Sequence, residues 1–291
     1  MSSPENYTVR LICAITTEYV AAQAFLMKST MAQHICRPHN KKNNILGKTR
    51  KHNVVISGLP LREYGTSSAA RVAEDMMHNF PNIHIGLMVG IGGGAPGRKH
   101  EIRPGDIVVS TSRNGQGSVI QYDYGKTIQG QIFQQTGDSN QPPTILRAAV
   151  NGHALNTSAK GIIWMMRRKE SLRRSRDYGT GISITHPSGK DLPCASRCGD
   201  DPSCLVARPL CTEKDDNPAV HYALIASVNQ LMEDASIWDK LAAQKDVLCF
   251  EMEAAGLMNH FPCLVIRDIC EYADSHKNKN WQGYAAMVAA A

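Results

Sequence analysis

Carboxylates stand at three places in this chain where an apolar run gives way to polar residues. Glu18 follows Val9 to Ile15, Glu251 and Glu253 follow Val247 to Phe250, and Glu271 and Asp274 follow Cys263 to Arg267. Runs of this length and composition read as buried strands, and in an open α/β sheet ligands gather beyond the carboxyl ends of the strands. A single carboxylate there is most often a helix cap or a surface group. Three such sites converging at one sheet edge are harder to assign that way, because carboxylates in unlike surroundings acquire different pKa values and can divide general-acid from general-base work.

The stretch Gly90-Ile-Gly-Gly-Gly94 follows the predicted strand Ile85 to Val89. Gly90-x-Gly92-x-x-Ala95 meets the spacing of a dinucleotide fingerprint, but that motif needs a helix opening at its third position to aim its dipole at a pyrophosphate. Pro96-Gly-Arg-Lys-His100 follows instead, which disfavours NAD. Gly92 and Gly93 remain as backbone that can approach a ligand closely, or as a tight turn between core elements. The full Gly-x-x-x-x-Gly-Lys-Ser/Thr loop, His-Glu-x-x-His and Gly-x-Ser-x-Gly are absent, so P-loop ATPases, zinc proteases and common serine hydrolases lose their main support. Among nine cysteines, Cys13, Cys249, Cys263 and Cys270 lie in apolar runs and read as core. Cys194, Cys198, Cys204 and Cys211 match no common zinc spacing. Neither a metal nor an organic cofactor is implied.

The elements that must carry these residues alternate. Predicted strands Val9 to Ile15, Asn53 to Gly58, Ile85 to Val89 and Ile107 to Ser110 are interspersed with helices Val20 to Met27 and Ser67 to Phe80, the latter with Thr66 or Ser67 as N-cap. After a long insertion over about 131–217, which holds one predicted helix from Thr144 to Leu155, the pattern resumes. A helix is predicted over Ala219 to Leu231, a strand over Asp246 to Phe250, a helix over Glu251 to Met258, a strand over Cys263 to Arg267 and a last helix over Trp281 to Ala291. This is the pattern of one α/β domain over 7–291, a three-layer sandwich whose mixed, mostly parallel central sheet is flanked by helices. The last helix stops in mid-pattern, as expected of a chain that runs on into further domains.

With 291 residues, 42% hydrophobic and 20% charged, the chain can bury a full core, which excludes disorder, collagen and coiled coil. Its longest apolar runs, such as Ile162 to Met166, fall far short of the roughly 20 residues that span a bilayer. The N-terminus has no secretory pattern, and a cytoplasmic location with no membrane partner is expected. Much of the net charge of +6 sits in Arg167, Arg168, Lys169, Arg173, Arg174 and Arg176. Without interleaved aromatics this run reads as a solvated surface rather than a nucleic-acid site.

Several segments together resemble the purine nucleoside phosphorylase and uridine phosphorylase superfamily: Ala14-Ile-Thr-Thr-Glu18, Met88-Val-Gly-Ile-Gly-Gly-Gly94, Arg103-Pro-Gly-Asp-Ile-Val-Val-Ser110, Leu224-Ile-Ala-Ser-Val-Asn229, Phe250-Glu-Met-Glu-Ala-Ala255 and Val265-Ile-Arg-Asp-Ile-Cys-Glu-Tyr-Ala-Asp274. The likeness covers about 7–130 and 218–291. It is greatest to the methylthioadenosine nucleosidases and to the N-terminal domain of fungal NLR-like proteins fused to NACHT, ankyrin or TPR regions.

The resemblance implies cleavage of the bond between a base and C1′ of ribose through an oxocarbenium-like transition state. Met252 and Glu253 match the pair that packs on the sugar and binds its 2′ and 3′ hydroxyls. Ser227, Asn229 and Phe250 lie in segments that frame the base. Glu18 matches the base that activates water. Glu271 falls where the nucleosidases carry the aspartic acid that protonates purine N7. It is one methylene longer, about 1.5 Å of reach, and Asp274 is the alternative donor. Where phosphorylases hold phosphate, this chain has Met88 and Ile91, which cannot pair with an anion. A hydrolase releasing adenine from adenosine or an ATP-type nucleotide is therefore expected, with a phosphorylase and a weakly catalytic nucleotide sensor as rivals. The likeness further implies a homo-oligomer, with fused domains downstream as partners. If the basic run, or Lys190 and Arg208, meets a 5′-phosphate, replacing Arg167, Arg168, Arg173 and Arg174 by Gln will lower base release from ATP and spare adenosine. Parallel turnover assays on the two substrates check this.

Overall fold

The computed structural model describes residues 3–26, 29–31, 44–96, 100–112, 115, 117–126, 128–129, 134–138, 140–152, 154, 218–230, 235–274 and 279–291. Within these residues the apolar runs form eleven strands: β1 (Val9–Cys13), β2 (Ser29–Met31), β3 (Asn44–Thr49), β4 (His52–Gly58), β5 (Ile85–Gly94), β6 (Ile107–Ser110), β7 (Val119–Lys126), β8 (Gln134–Asp138), β9 (Val220–Ser227), β10 (Val247–Glu251) and β11 (Leu264–Tyr272). They make one mixed sheet in the order β2-β3-β4-β1-β5-β11-β6-β9-β7-β8. β10 runs parallel to β9 and pairs antiparallel with the end of β5, Cys249 opposite Gly94 and Phe250 opposite Gly93. The ladders β5-β11-β6-β9-β10 thus close into a ring.

Alternation along the strands sorts side chains between two helical layers. Val108 and Val265 pack in one core with Ala69, Val72 and Met76 of α2 (Thr66–Asn79). Their sequence neighbours Ile107, Val109 and Leu264 join the core on the other face with Tyr284, Ala285 and Val288. α3 spans 144–152, and α4 (Ala235–Lys245), α5 (Ala254–His260) and α6 (Gln282–Ala290) follow. α5 lies beside α2, while α6 packs on α1 (Thr16–Ala24), where Ala21 and Ala24 meet Ala286 and Met287. The expected three-layer α/β architecture is the observed one. Arg10 of β1 is buried against the first helical pair. Its guanidinium lies 3.4 Å from the Phe261 ring centroid and donates to the Ala73 carbonyl at 3.2 Å, and burial lowers its pKa to about 10.

Five expectations are corrected. Residues 219–231 do not form a helix: Val220–Ser227 is β9, buried from Ala223 onward. A continuous apolar run has no period that separates a helix from a strand walled in on both sides. The glycines after Val89 are not a turn, since β5 continues through them and ends at Gly94 with β11 and β10 on its flanks. α2 begins at Thr66 after Gly65, and no side chain of its own caps it. Glu251 ends β10 rather than opening a helix, and β11 continues past Arg267 to Tyr272. Of the insertion, β8 pairs with β7 in the sheet and the predicted helix at 144–155 is helical over 144–152. The basic run, Lys190, Arg208 and the cysteines at 194–211 lie outside the described residues. Among the described residues no helix is long and apolar enough to cross a membrane.

α2 and α5 touch at Gly256, where an added Cβ would collide with the carbonyl of Thr66. The helix-propensity gain of Gly→Ala, about 1 kcal/mol, is smaller than the cost of forcing two backbones apart, about 1–3 kcal/mol. Gly256→Ala is therefore expected to lower the denaturation midpoint, and a urea titration reads it.

Candidate active site

α1 opens directly after β1, and the side chain of Glu18 in its first turn folds back over that junction. Its Oε2 accepts from the N–H groups of Ala14 at 2.6 Å and Ile15 at 3.2 Å, and its Oε1 accepts from Ile91 N–H of β5 at 2.8 Å. This is the carboxylate half of a capping box, the N-cap being Ile15 with no side-chain acceptor, and the carboxylate bridges two strands as well as a helix end. Glu18 is only 3% exposed. Burial raises its pKa, opposed by the nearby Arg267 guanidinium and by the three N–H donors.

Arg267 projects from β11 into the same space and is 1% exposed. Its Nη1 lies 3.6 Å from Glu18 Oε1, its Nη2 lies 3.5 Å from Glu253 Oε2, and Nη2 also donates to Glu251 Oε2. The thioether of Met88 stands 3.3 Å from Nη2, and Nε is buried with no acceptor. Burial alone would lower the pKa of this guanidinium. Glu251, Glu18 and Glu253 together outweigh it and hold the pKa above the ordinary arginine value. Glu251 also accepts from the N–H groups of Glu253 and Ala254 at 3.0–3.1 Å, which satisfies donors at the start of α5. Glu253 Oε1 accepts from Gly65 N–H at 3.3 Å. Burial and the neighbouring Glu251 push the Glu253 pKa up to about 7, against the pull of Arg267.

Backbone without side chains makes room for this cluster. A Cβ on Gly90 would stand inside contact distance of both Glu18 and Arg267, and one on Gly92 would meet the thiol of Cys249. The close approach expected of the glycine run is therefore an approach to the protein's own groups at these two positions. Gly93 packs its α-carbon toward Ala273.

Of the residues singled out in the sequence, Glu18 and Glu253 are brought together. Ser227 is buried and its hydroxyl accepts from Ala255 N–H at 3.0 Å, and Asn229 Oδ1 accepts from Thr66. Both of these side chains thus hold helix ends. Phe250 is buried edge-to-face against Tyr122, centroids 5.8 Å apart. Met252 lies between the carboxylates Glu251 and Glu253 and is half-buried. Glu271 lies opposite Gly93, beyond an irregularity in the β11 ladder, and is half-buried, as is Asp274 past the strand end. Glu271 lies four residue steps beyond Arg267, about 13 Å along the strand, so the expected acid stands apart from the carboxylate cluster. Arg267 and Glu251 join the site without a role expected of them from the sequence. The signal for the arginine was a lone cation ending the apolar run Cys263-Leu-Val-Ile. Among the described residues no cluster of His, Cys, Asp and Glu could hold a metal ion.

The raised pKa of Glu253 carries a sign. The folded state keeps its proton to about pH 7, while an unfolded glutamate releases it near 4.5. The folded protein therefore binds more protons in that window, and this contribution to stability is lost as pH rises from about 4.5 to 7. Glu253→Gln should flatten that part of the curve of melting temperature against pH, measured by scanning fluorimetry.

No family model matches the chain. An NLR-like protein of Hyaloscypha variabilis is 42% identical over 99% of this chain, which spans 29% of that relative's length. Three solved structures share the fold at low identity. A mutant of the Helicobacter pylori 5′-methylthioadenosine/S-adenosylhomocysteine nucleosidase, with 5′-methylthioadenosine in its active site, matches with TM-score 0.61 at 13% identity, covering 100% of this chain and 96% of that one. The corresponding Neisseria meningitidis nucleosidase, in complex with methylthio-immucillin-A, gives 0.57 at 16%, covering 97% and 95%. The futalosine hydrolase of Helicobacter pylori gives 0.59 at 12%, covering 99% and 96%. The chain is thus a homologue of one part of an NLR-like protein, and it has the nucleoside phosphorylase-like fold of these nucleosidases.

Proposed function

We propose that this domain is a purine N-ribohydrolase that cleaves the N-glycosidic bond of a nucleoside or nucleotide and releases the free base. The observation that carries the reading is the buried group of Glu18, Glu251 and Glu253 around the single cation of Arg267. With its carboxylates ionised this group is left with excess negative charge in a desolvated place. Such a site favours a sugar that becomes cationic in the transition state and disfavours an incoming anion.

In this mechanism Glu18 takes a proton from water as the water oxygen bonds to C1′. The electrons of the breaking C1′–N bond pass to the base, and Glu271, or Asp274, supplies the proton the base acquires. Glu253 accepts from the 2′ and 3′ hydroxyls, with Met252 packed on the sugar. Gly92, Gly93 and Phe250 line the side on which the base lies. Adenine is the preferred base, in adenosine or an ATP-type nucleotide, on the strength of the fold shared with methylthioadenosine nucleosidases.

Phosphorolysis is the weaker reading because the groups at the corresponding positions are already engaged. The Met88 thioether faces Arg267, and the Ile91 N–H is taken by Glu18. The likeness to part of an NLR-like protein favours one other alternative, a nucleotide sensor with little turnover.

The test is incubation with adenosine, AMP, ATP, inosine and guanosine, each with and without inorganic phosphate, followed by chromatography. Free base without phosphate, falling about 100-fold or more in Glu18→Gln, is the expected result. Base release that requires phosphate would establish the phosphorylase. Ligand-induced thermal stabilisation without any base release would establish the sensor. Because Glu18 must be ionised to accept the proton, activity should be lost as pH falls through its raised pKa.

A further inference from the structure

The first turn of α2 is fastened from outside the helix. Asn229, two residues past β9, is exposed, yet its Oδ1 accepts from Thr66 N–H at 2.8 Å and from Thr66 Oγ at 2.9 Å. The residue before Thr66 is Gly65, held at φ 90°, where a Cβ would press on that same Asn229 oxygen. Both the left-handed conformation and the close approach select glycine. The N–H of Gly65 then points to Glu253 Oε1 at 3.3 Å. One amide oxygen on a surface loop is thereby linked through two residues of backbone to a buried carboxylate.

The link matters because it is short and near its limit. The N-terminal N–H groups of a helix have no partners within the helix, and a turn whose donors are unmet frays. A hydrogen bond already at 3.3 Å is lost with a further displacement of a few tenths of an ångström. Around Glu253 the other groups pull in opposite senses: Glu251 from β10 and Glu18 from α1 repel it, and Arg267 from β11 attracts it. Gly65 supplies the backbone donor, and its loss would raise the pKa of Glu253 further.

We propose that Asn229 is a positioning residue, which sets the place and ionisation of Glu253 by fastening Thr66 and so holding the Gly65 N–H on the Glu253 carboxylate. Its effect on turnover rests on the ribohydrolase reading, in which Glu253 binds the ribose, but the mechanical link does not. The role differs from the framing of the base that the family resemblance implies for the segment holding Asn229.

Three variants test it: Asn229→Asp keeps the acceptor oxygen, Asn229→Leu removes it at similar size, and Thr66→Val removes one of its two donors. The first readout is the Gly65 amide resonance followed by NMR against pH, with Glu253→Gln as the control that abolishes its titration. The expected result is an upward shift of the midpoint by about half a pH unit or more in Asn229→Leu, a smaller one in Thr66→Val, and little change in Asn229→Asp. The second readout is kcat and KM for the purine substrate. Asn229→Leu should lose about tenfold in kcat/KM with both constants affected, and Asn229→Asp should restore most of it. An unmoved midpoint in Asn229→Leu overturns the proposal. So does an equal loss of turnover in Asp and Leu variants, which would mean that the amide nitrogen touches substrate. If the unaltered protein releases no base, the ribohydrolase reading falls and the NMR titration still decides the link.

Discussion

Everything at the centre of this fold is arranged around one fully buried guanidinium. Arg267 lies on a strand whose neighbours are apolar, and removing it from water is costly unless its charge is met by well-placed partners. Three carboxylates meet it, and they come from α1, from the end of β10 and from the junction of β10 with α5. The constraint runs outward from there. β5 must carry glycine at 90 so that Glu18 and Arg267 can lie over it, and β10 must stop at Glu251 so that its carboxylate can serve both the arginine and the first N–H groups of α5.

The same arrangement sets the chemistry. Each carboxylate is held by something that would tolerate its charge, yet burial pushes Glu18 and Glu253 toward holding protons. A cluster balanced in this way responds to a cationic centre brought beside it, because ionisation of the carboxylates then becomes favourable. Fold and charge thus point the same way.

The alternation of elements, the three layers and the pairing of Glu18 with Glu253 were legible in the sequence because each rests on a local pattern or on the spacing of acidic residues after apolar runs. β9 was read as a helix because Val220 to Ser227 lacks the period-two contrast that marks a half-exposed strand, being flanked by β6, β7 and β10. The glycine run was misread for a related reason: only the crowding of β10 and β11 shows why Gly92 and Gly93 continue a strand. Arg267 stood in plain view in the quoted motif, but its burial depends on three partners separated from it by 14 to 249 residues in sequence. Asn229 fastens a helix more than 160 residues away, a cap that no local rule anticipates.

The closed ring β5-β11-β6-β9-β10 also fixes when this centre can come into being during synthesis. Glu18 and its donors Ala14, Ile15 and Ile91 all belong to the first hundred residues, whereas Glu251, Glu253 and Arg267 follow more than 150 residues later. At about 5–20 residues per second, the 176 residues from Gly92 to Arg267 take roughly 9–35 s to be added. Until they have emerged, Glu18 lacks its Arg267 partner and β5 lacks its pairing with β10 and β11. The charge cluster can therefore be complete only once the strands that close the ring are in place, so charge pattern and topology depend on the same late segments.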